Sequence, residues 1–359
     1  MKNSFWNNRK VFITGHTGFK GGWLTLWLKS LGAKICGYAL KPESKKSLYY
    51  EAEVSKGIDS NLNNILNYKV LSEKISQFSP EVVFHLAAQP LVKKSYKCPQ
   101  ETFSTNISGT INLLESLRHS KTVKSIVVVT TDKVYKNKES KKGYKEDDSL
   151  GGFDPYSSSK ACCEIITNSY RSSFFNNNNL RIGIATARAG NVIGGGDYAE
   201  NRLVPDIFKS IEENKALKVR NIKSTRPWQH VLDALNGYII LAESLYHNCQ
   251  KFSEAWNFGP NFKNCKKVEW ILKEFQKKYN FEIIDTSNTM KVHEANILNL
   301  DISKSIKKLN WVPKLEINDA IHLTSQWFNL KKNGQLPSQI INDQINYYTD
   351  KINNNYSKL

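Results

Sequence analysis

Short apolar runs and helix-period stretches alternate along the first third of the chain. Lys10 to Thr14 reads as a buried strand, and Phe19, Trp23, Leu24, Trp27, Leu28 and Leu31 then recur on one helix face. Further strands are predicted over Ala33 to Ala39, just ahead of Asn64, over Glu81 to Ala87 and, as the fifth, over Ser125 to Thr130. Thr105 to Ser120 has the pattern of an amphipathic helix, and Pro155 opens a helix reaching Ser173. The strands are apolar throughout rather than alternating, which is the pattern of strands covered on both faces. After about residue 190 the pattern changes: Gly194-Gly195-Gly196 marks a loop, and shorter mixed elements follow to about 330.

These elements predict a Rossmann-like doubly wound α/β fold with a parallel sheet and a smaller mixed α/β C-terminal lobe. Residues 1–190 are expected to form the dinucleotide-binding domain and to carry the catalytic residues. Residues 191–330 are expected to be mainly a substrate lobe from which the chain is free to cross back. Residues 331–359 are expected to be an extension, polar and frayed from Ile352 onward. Asn176 to Asn179 reads as a loop, and no internal repeat is visible.

At 359 residues and 40% apolar content, the chain is long enough for about two domains and excludes global disorder. No apolar run approaches the roughly 18 residues of a membrane span. Met1 to Lys10 is polar, so no secretory leader and a cytoplasmic location are expected. The net charge is +18, from 51 basic and 33 acidic residues. The lysines are spread along the chain among asparagines, and the densest clusters are Lys136–Lys145 and Lys263–Lys267. That is a solvated surface rather than a nucleic-acid face, although its field favours a diphosphate ligand. Six cysteines (36, 98, 162, 163, 249 and 265) form no metal-spaced pair and read as small core residues, so no metal is expected.

Two constellations carry chemistry. Gly15, Gly18 and Gly21 stand three apart between the first strand and the first helix, where a sharp turn lets backbone N–H groups approach a pyrophosphate. The acid expected about 20 residues later, on the ribose 2′-hydroxyl, is absent. Lys41, near the end of the second strand, reads as a surface lysine, which leaves NAD against NADP open. The second constellation begins with Thr131-Asp132-Lys133, at the carboxyl edge of the fifth strand. Tyr156 follows 25 residues after Thr131, and Lys160 follows at i+4 on the same helix face. A neighbouring ammonium and a cationic nicotinamide would favour the phenolate of Tyr156, making it a base for a sugar hydroxyl as hydride leaves the same carbon.

Tyr-x-x-x-Lys together with Thr14-Gly-x-x-Gly-x-x-Gly21 resembles the extended short-chain dehydrogenase/reductase superfamily. Longer stretches resemble the CDP-glucose 4,6-dehydratase family within it. They are Gly15–Trp23, His85–Val92, Thr131–Tyr135, Arg188–Asp197, Arg226–Val231, His293–Ala295, Leu300-Asp301 and Trp311–Pro313, so the likeness spans about residues 8–330.

The resemblance implies an internal oxidation, elimination and reduction of CDP-glucose that yields a 4-keto-6-deoxy sugar nucleotide and water, for deoxysugar and surface-polysaccharide synthesis. It implies an NAD site formed by Gly15, Thr17, Gly18, Phe19, Gly21, Asn64, Ile65, Leu86, Ala87, Ala88, Tyr156 and Lys160. It implies that Thr131 bonds the 4-hydroxyl, that Asp132 protonates the departing 6-hydroxyl, and that Lys133 takes the C5 proton. The acid needs desolvation, and the lysine needs burial or a cationic neighbour. Arg226 is implied on the diphosphate, with Asn191, Arg202 and His293 as further substrate contacts. His85 and Trp228 read as packing residues. A homodimer or homotetramer is implied, paired through Thr105–Ser120 and Pro155–Ser173.

Two positions depart from the family: Asn64 replaces an aspartate and Gly22 a serine. Other readings are a dehydratase for UDP-N-acetylglucosamine or dTDP-glucose, a 4-epimerase, and a non-enzymatic dinucleotide sensor. An epimerase has no use for Asp132-Lys133. A sensor would be expected to lose Tyr156 or Lys160.

Overall fold

The computed structural model describes residues 5–140, 142–175, 181–287 and 296–356. Seven strands form the main sheet: β1 Lys10–Thr14, β2 Lys34–Ala39, β3 Asp59–Leu62, β4 Val82–His85, β5 Ser125–Val129, β6 Gly183–Ala189 and β7 Ala255–Phe258. Their order is β7-β6-β5-β4-β1-β2-β3, and every pairing is parallel. The strand order reverses between β1 and β4. The crevice outside the carboxyl ends of these two strands is where an open α/β sheet takes a ligand.

Alternation within the apolar strands sorts them between two cores. Val11 and Ile13 face a cluster with Trp23, Leu24 and Trp27, whereas Phe12 faces another with Leu113, Leu114 and Leu117. Cys36 and Cys163 are buried, while the other four cysteines are only partly so, against the expectation that all six pack in the core. The helix expected over Thr105–Ser120 begins earlier, at Pro99. It passes through a π turn at Ser104–Ser108 before Gly109–Arg118.

A smaller core in the second lobe gathers Ile207, Phe208, Trp228, Ile271 and Phe275. Short two-stranded pieces flank it: Leu217–Val219 with Ile283–Asp285, and Thr225–Pro227 with Cys265–Lys267. The helix Val231–His247 and strand β7 return to the main sheet.

The terminal segment corrects the expectation of a polar, frayed tail. Pro337–Tyr356 is a twenty-residue helix. Ile341, Ile345, Tyr348 and Ile352 repeat at helical spacing among asparagines and are buried. Tyr348 packs edge-on against Trp27 and donates 2.7 Å to the buried carboxylate of Asp233, which also accepts from the Lys314 and Leu315 N–H groups. Asparagine-rich spacing hid an apolar stripe. Residues 357–359 and the Asn176–Asn179 loop lie outside the described residues.

Candidate active site

The glycine turn joins β1 to the helix Phe19–Ser30. Gly15 has φ +77°, and a Cβ there would lie 2.7 Å from the Ala87 nitrogen. A Cβ on Gly21 would lie 2.0 Å from the Gly15 oxygen. Side chains are thus excluded where a pyrophosphate needs bare backbone. Leu86, Ala87 and Ala88 follow β4 directly, so they border this turn. Thr14 locks the two together: its hydroxyl accepts from the Leu86 and Ala87 amides, at 3.1 and 3.2 Å, and donates to His85 Nδ1 at 2.7 Å. His85 therefore carries its proton on Nε2 and donates to Thr110 at 3.0 Å, a buried packing role as expected.

The other proposed cofactor residues divide. Thr17 donates to the Leu40 carbonyl at 3.0 Å, and Phe19 lines the main cavity. Asn64 follows β3 and accepts from Leu66 N–H at 2.9 Å through its side-chain oxygen, a local turn that leaves lone-pair capacity for a ligand. Ile65 is buried beneath Gly109.

A cavity of about 730 Å³ opens at the carboxyl ends of the strands and runs into the second lobe. Thr131, Lys133 and Tyr156 line one part of it, and Asn191, Arg202 and Arg226 line another. Asp132 sits in a short 3₁₀ turn capped by Thr131, and it is fully buried. Its Oδ1 accepts from the Thr131 hydroxyl at 3.0 Å, with Lys133 Nζ 3.6 Å away. Its Oδ2 has no partner among the described residues, a costly state for a buried polar atom and a mark of a site awaiting one. Lys133 keeps about a third of its side chain exposed, and its neighbouring charge is an anion. The rest of the side chain is covered, and it lines the cavity beside Thr131 and Tyr156.

Tyr156 and Lys160 share the helix Pro155–Tyr170, which Asp154 caps through the Ser157 amide at 3.0 Å. Lys160 Nζ donates to the Val129 carbonyl at 3.0 Å. Burial pushes the Tyr156 phenol up to about 12, against the pull of a hydrogen bond with Thr131 and the charge of Arg202. Among this chain's own groups desolvation outweighs the cations, and the nicotinamide that the expectation also invokes would add further positive charge.

Beneath these groups Glu164 and Arg188 form a buried ion pair at 2.8 Å. Burial works to raise the Glu164 pKa, yet Arg188 and hydrogen bonds from Arg188, Thr130 and Thr186 hold it below the usual carboxylate range.

In the second part of the cavity Arg202 pairs with Asp197 at 2.8 Å. Arg226 is largely buried and donates to the Thr225 carbonyl at 3.0 Å. Asn191 Oδ1 is buried without a partner among the described residues. Trp228 is buried and donates to the Lys266 carbonyl at 2.9 Å, as a packing residue. His293 lies outside the described residues.

Sequence reading missed Lys20. It lines the cavity between Phe19 and Gly21, and desolvation, with the charges of Arg202 and Lys160, lowers it to about 7. The available signal was a lysine inside the first turn of an otherwise buried apolar helix.

The sequence profile of a family described as GDP-mannose 4,6 dehydratase matches residues 12–324. CDP-glucose 4,6-dehydratase of Salmonella typhimurium is 44% identical over 333 residues, which cover 91% of this chain and 92% of that protein. A crystal structure of dTDP-glucose 4,6-dehydratase from Bacillus anthracis in complex with NAD superposes with a TM-score of 0.73 at 22% identity, covering 92% of this chain and 99% of that one. UDP-glucose 4-epimerase from Thermotoga maritima, solved with UDP-glucose, gives 0.75 at 20% identity, covering 90% and 99%.

Proposed function

The chain belongs to the GDP-mannose 4,6-dehydratase family, and on that premise we propose that it converts CDP-glucose to CDP-4-keto-6-deoxyglucose and water. One observation carries the choice of dehydration over epimerisation. Asp132 places a fully buried carboxyl group, with one oxygen unengaged among the described residues, beside Thr131 and the Tyr156 cavity. Elimination needs such an acid, and epimerisation at C4 does not. Identity to the Salmonella enzyme favours CDP-glucose over other sugar nucleotides.

The glycine turn, Leu86–Ala88 and the edge formed by Tyr156 and Lys160 would hold NAD. When bound, that cofactor supplies the acceptor and later the donor of the sugar's hydride. The chain's own residues manage the protons. Tyr156 accepts the proton of the 4-hydroxyl, and Thr131 orients that hydroxyl. Once C4 is a ketone the C5 hydrogen is acidic, and Lys133 removes it. Asp132 gives its proton to the 6-oxygen, which leaves as water across C5–C6. Because the sugar is oxidised and then reduced, no external oxidant is consumed. Arg226 and Arg202 suit the diphosphate, since a guanidinium fork matches its oxygens.

A second copy of the chain is the proposed partner. Phe103, Ile111 and Ile165 stand exposed on the helical segments Pro99–Arg118 and Pro155–Tyr170, an apolar set whose burial favours association. Light scattering on the purified protein tests this by giving a dimer or tetramer mass. Among the described residues no helix is long and apolar enough to cross a membrane. The proposed place is the cytoplasm, and the proposed role is deoxysugar supply for O-antigen polysaccharide.

Incubation with NAD⁺ and CDP-, dTDP-, UDP- or GDP-glucose tests the reading. The CDP sugar should yield an alkali-absorbing 4-keto product that carries solvent deuterium at C5. A C4 epimer without that product would favour the epimerase.

A further inference from the structure

The cavity runs past the reacting groups into the second lobe, where Asp206 forms part of its wall. Asp206 lies in the first turn of the helix Leu203–Glu213, four residues beyond Arg202 and therefore roughly 6 Å further along the helix axis. Arg202 feels the charge of Tyr156. A sugar held at Tyr156 and a diphosphate held at Arg202 thus place the nucleoside on the side of Asp206. Leu203, Val204 and Pro205 on the helix, with Leu217 and Val219 on the strand Leu217–Val219, give this end apolar walls. Apolar walls with one convergent polar group suit a flat heteroaromatic ring.

The Asp206 carboxylate accepts one hydrogen bond from the described residues, from Asn201 N–H to Oδ1 at 3.2 Å. Burial pushes its pKa up, while Arg220, Lys209 and Lys93 pull it back toward the ionised form.

We propose that Asp206 reads the nucleobase, its carboxylate accepting a hydrogen bond from the exocyclic amine of cytosine. This rests on the CDP-glucose reading above and assigns its base preference to one residue. Cytosine carries a 4-amino donor where uracil and thymine carry a carbonyl acceptor. A carboxylate rewards the first and repels the second, so one side chain supplies both attraction and exclusion. An acid in a first helical turn also suits the helix dipole, but that role is indifferent to the base.

The test compares CDP-glucose with UDP-glucose. Wild-type kcat/KM should favour the CDP sugar by about 10- to 100-fold. Asp206→Asn offers the base both a donor and an acceptor, so the preference should fall by about the same factor, through KM rather than kcat. Calorimetric binding of CDP and UDP to the wild-type protein needs no variant and should show a preference for CDP of about tenfold or more. An unchanged substrate ratio in Asp206→Asn, or equal wild-type affinity for CDP and UDP, overturns the assignment. A wild-type protein that ignores CDP-glucose and uses another sugar nucleotide removes the substrate reading itself. The two failures are told apart by whether the wild type turns over CDP-glucose.

Discussion

Two acid–cation pairs meet at the end of strand β5 and are finished differently. Thr130 bonds to Glu164 of the Glu164–Arg188 pair, and Thr131 bonds to Asp132 of the Asp132–Lys133 pair. Both carboxylates are buried. Glu164 accepts from Thr130, from Thr186 at 2.6 Å, and from both forks of Arg188 at 3.0 and 2.8 Å, so each oxygen is used twice. Asp132 has one oxygen engaged and one without a partner among the described residues, and its cation reaches solvent. A saturated buried pair has nothing left to offer a ligand and holds the strand ends in place. An unsaturated one is left wanting a hydrogen bond that a substrate hydroxyl can provide.

The comparison can be broken most severely at Tyr156. Tyr156→Phe removes the base for C4 oxidation, the step that every later one requires, so turnover should fall by about 10³-fold or more. A sensitive 4-keto assay checks this, and substantial residual rate would take the phenol out of its role. Glu164→Ala should leave the Arg188 cation buried and uncompensated, at a cost of roughly 3–5 kcal/mol of stability. Urea unfolding reads that loss. Asp132→Asn should do the reverse, keeping or raising stability because one carboxylate oxygen has no bond to lose. It should slow water loss by about 10²-fold. Reduced nicotinamide should then accumulate from CDP-glucose, and an unchanged dehydration rate would return Asp132 to a structural role. Lys133→Ala should stop C5 exchange with deuterated solvent while leaving C4 oxidation intact, as NMR of the recovered sugar nucleotide shows.

The smallest effect concerns Lys20. Its pKa falls from 10.5 in the unfolded chain to about 7 in the folded one. Below about pH 7 both states hold the proton, and the folded protein bears the whole cost of a desolvated ammonium. Between there and about pH 10.5 the unfolded chain binds more protons, so stability rises with pH. Lys20→Met should therefore melt above wild type at about pH 6, with the gap narrowing by about pH 9. A constant gap would mean that Lys20 keeps its charge throughout.

The parallel sheet was readable because fully apolar strands such as Ser125–Val129 admit no exposed face. The glycine turn was readable because the Gly15 and Gly21 contacts forbid any side chain. Tyr156 and Lys160 were readable from spacing, but the state of the phenol was not, since desolvation depends on what packs around it. The same limit applied to Lys20, whose burial comes from a cavity assembled by distant segments. Lys133 is a further case: its type suited a base, but its partly covered place beside Asp132 on the cavity wall was not legible. The C-terminal helix was missed because its apolar residues are isoleucines and a tyrosine separated by polar stretches.

That last helix bears on how the molecule is made. Tyr348 is both the cover over Trp27 and a donor to Asp233, whose carboxyl burial pushes up to about 6. Until this helix has been made, the helix Phe19–Ser30 is uncovered at Trp27, and the Asp233 carboxyl lacks one of its bonds. Closure thus waits on Pro337–Tyr356, and a chain without that helix would present Trp27 to the protein quality-control machinery.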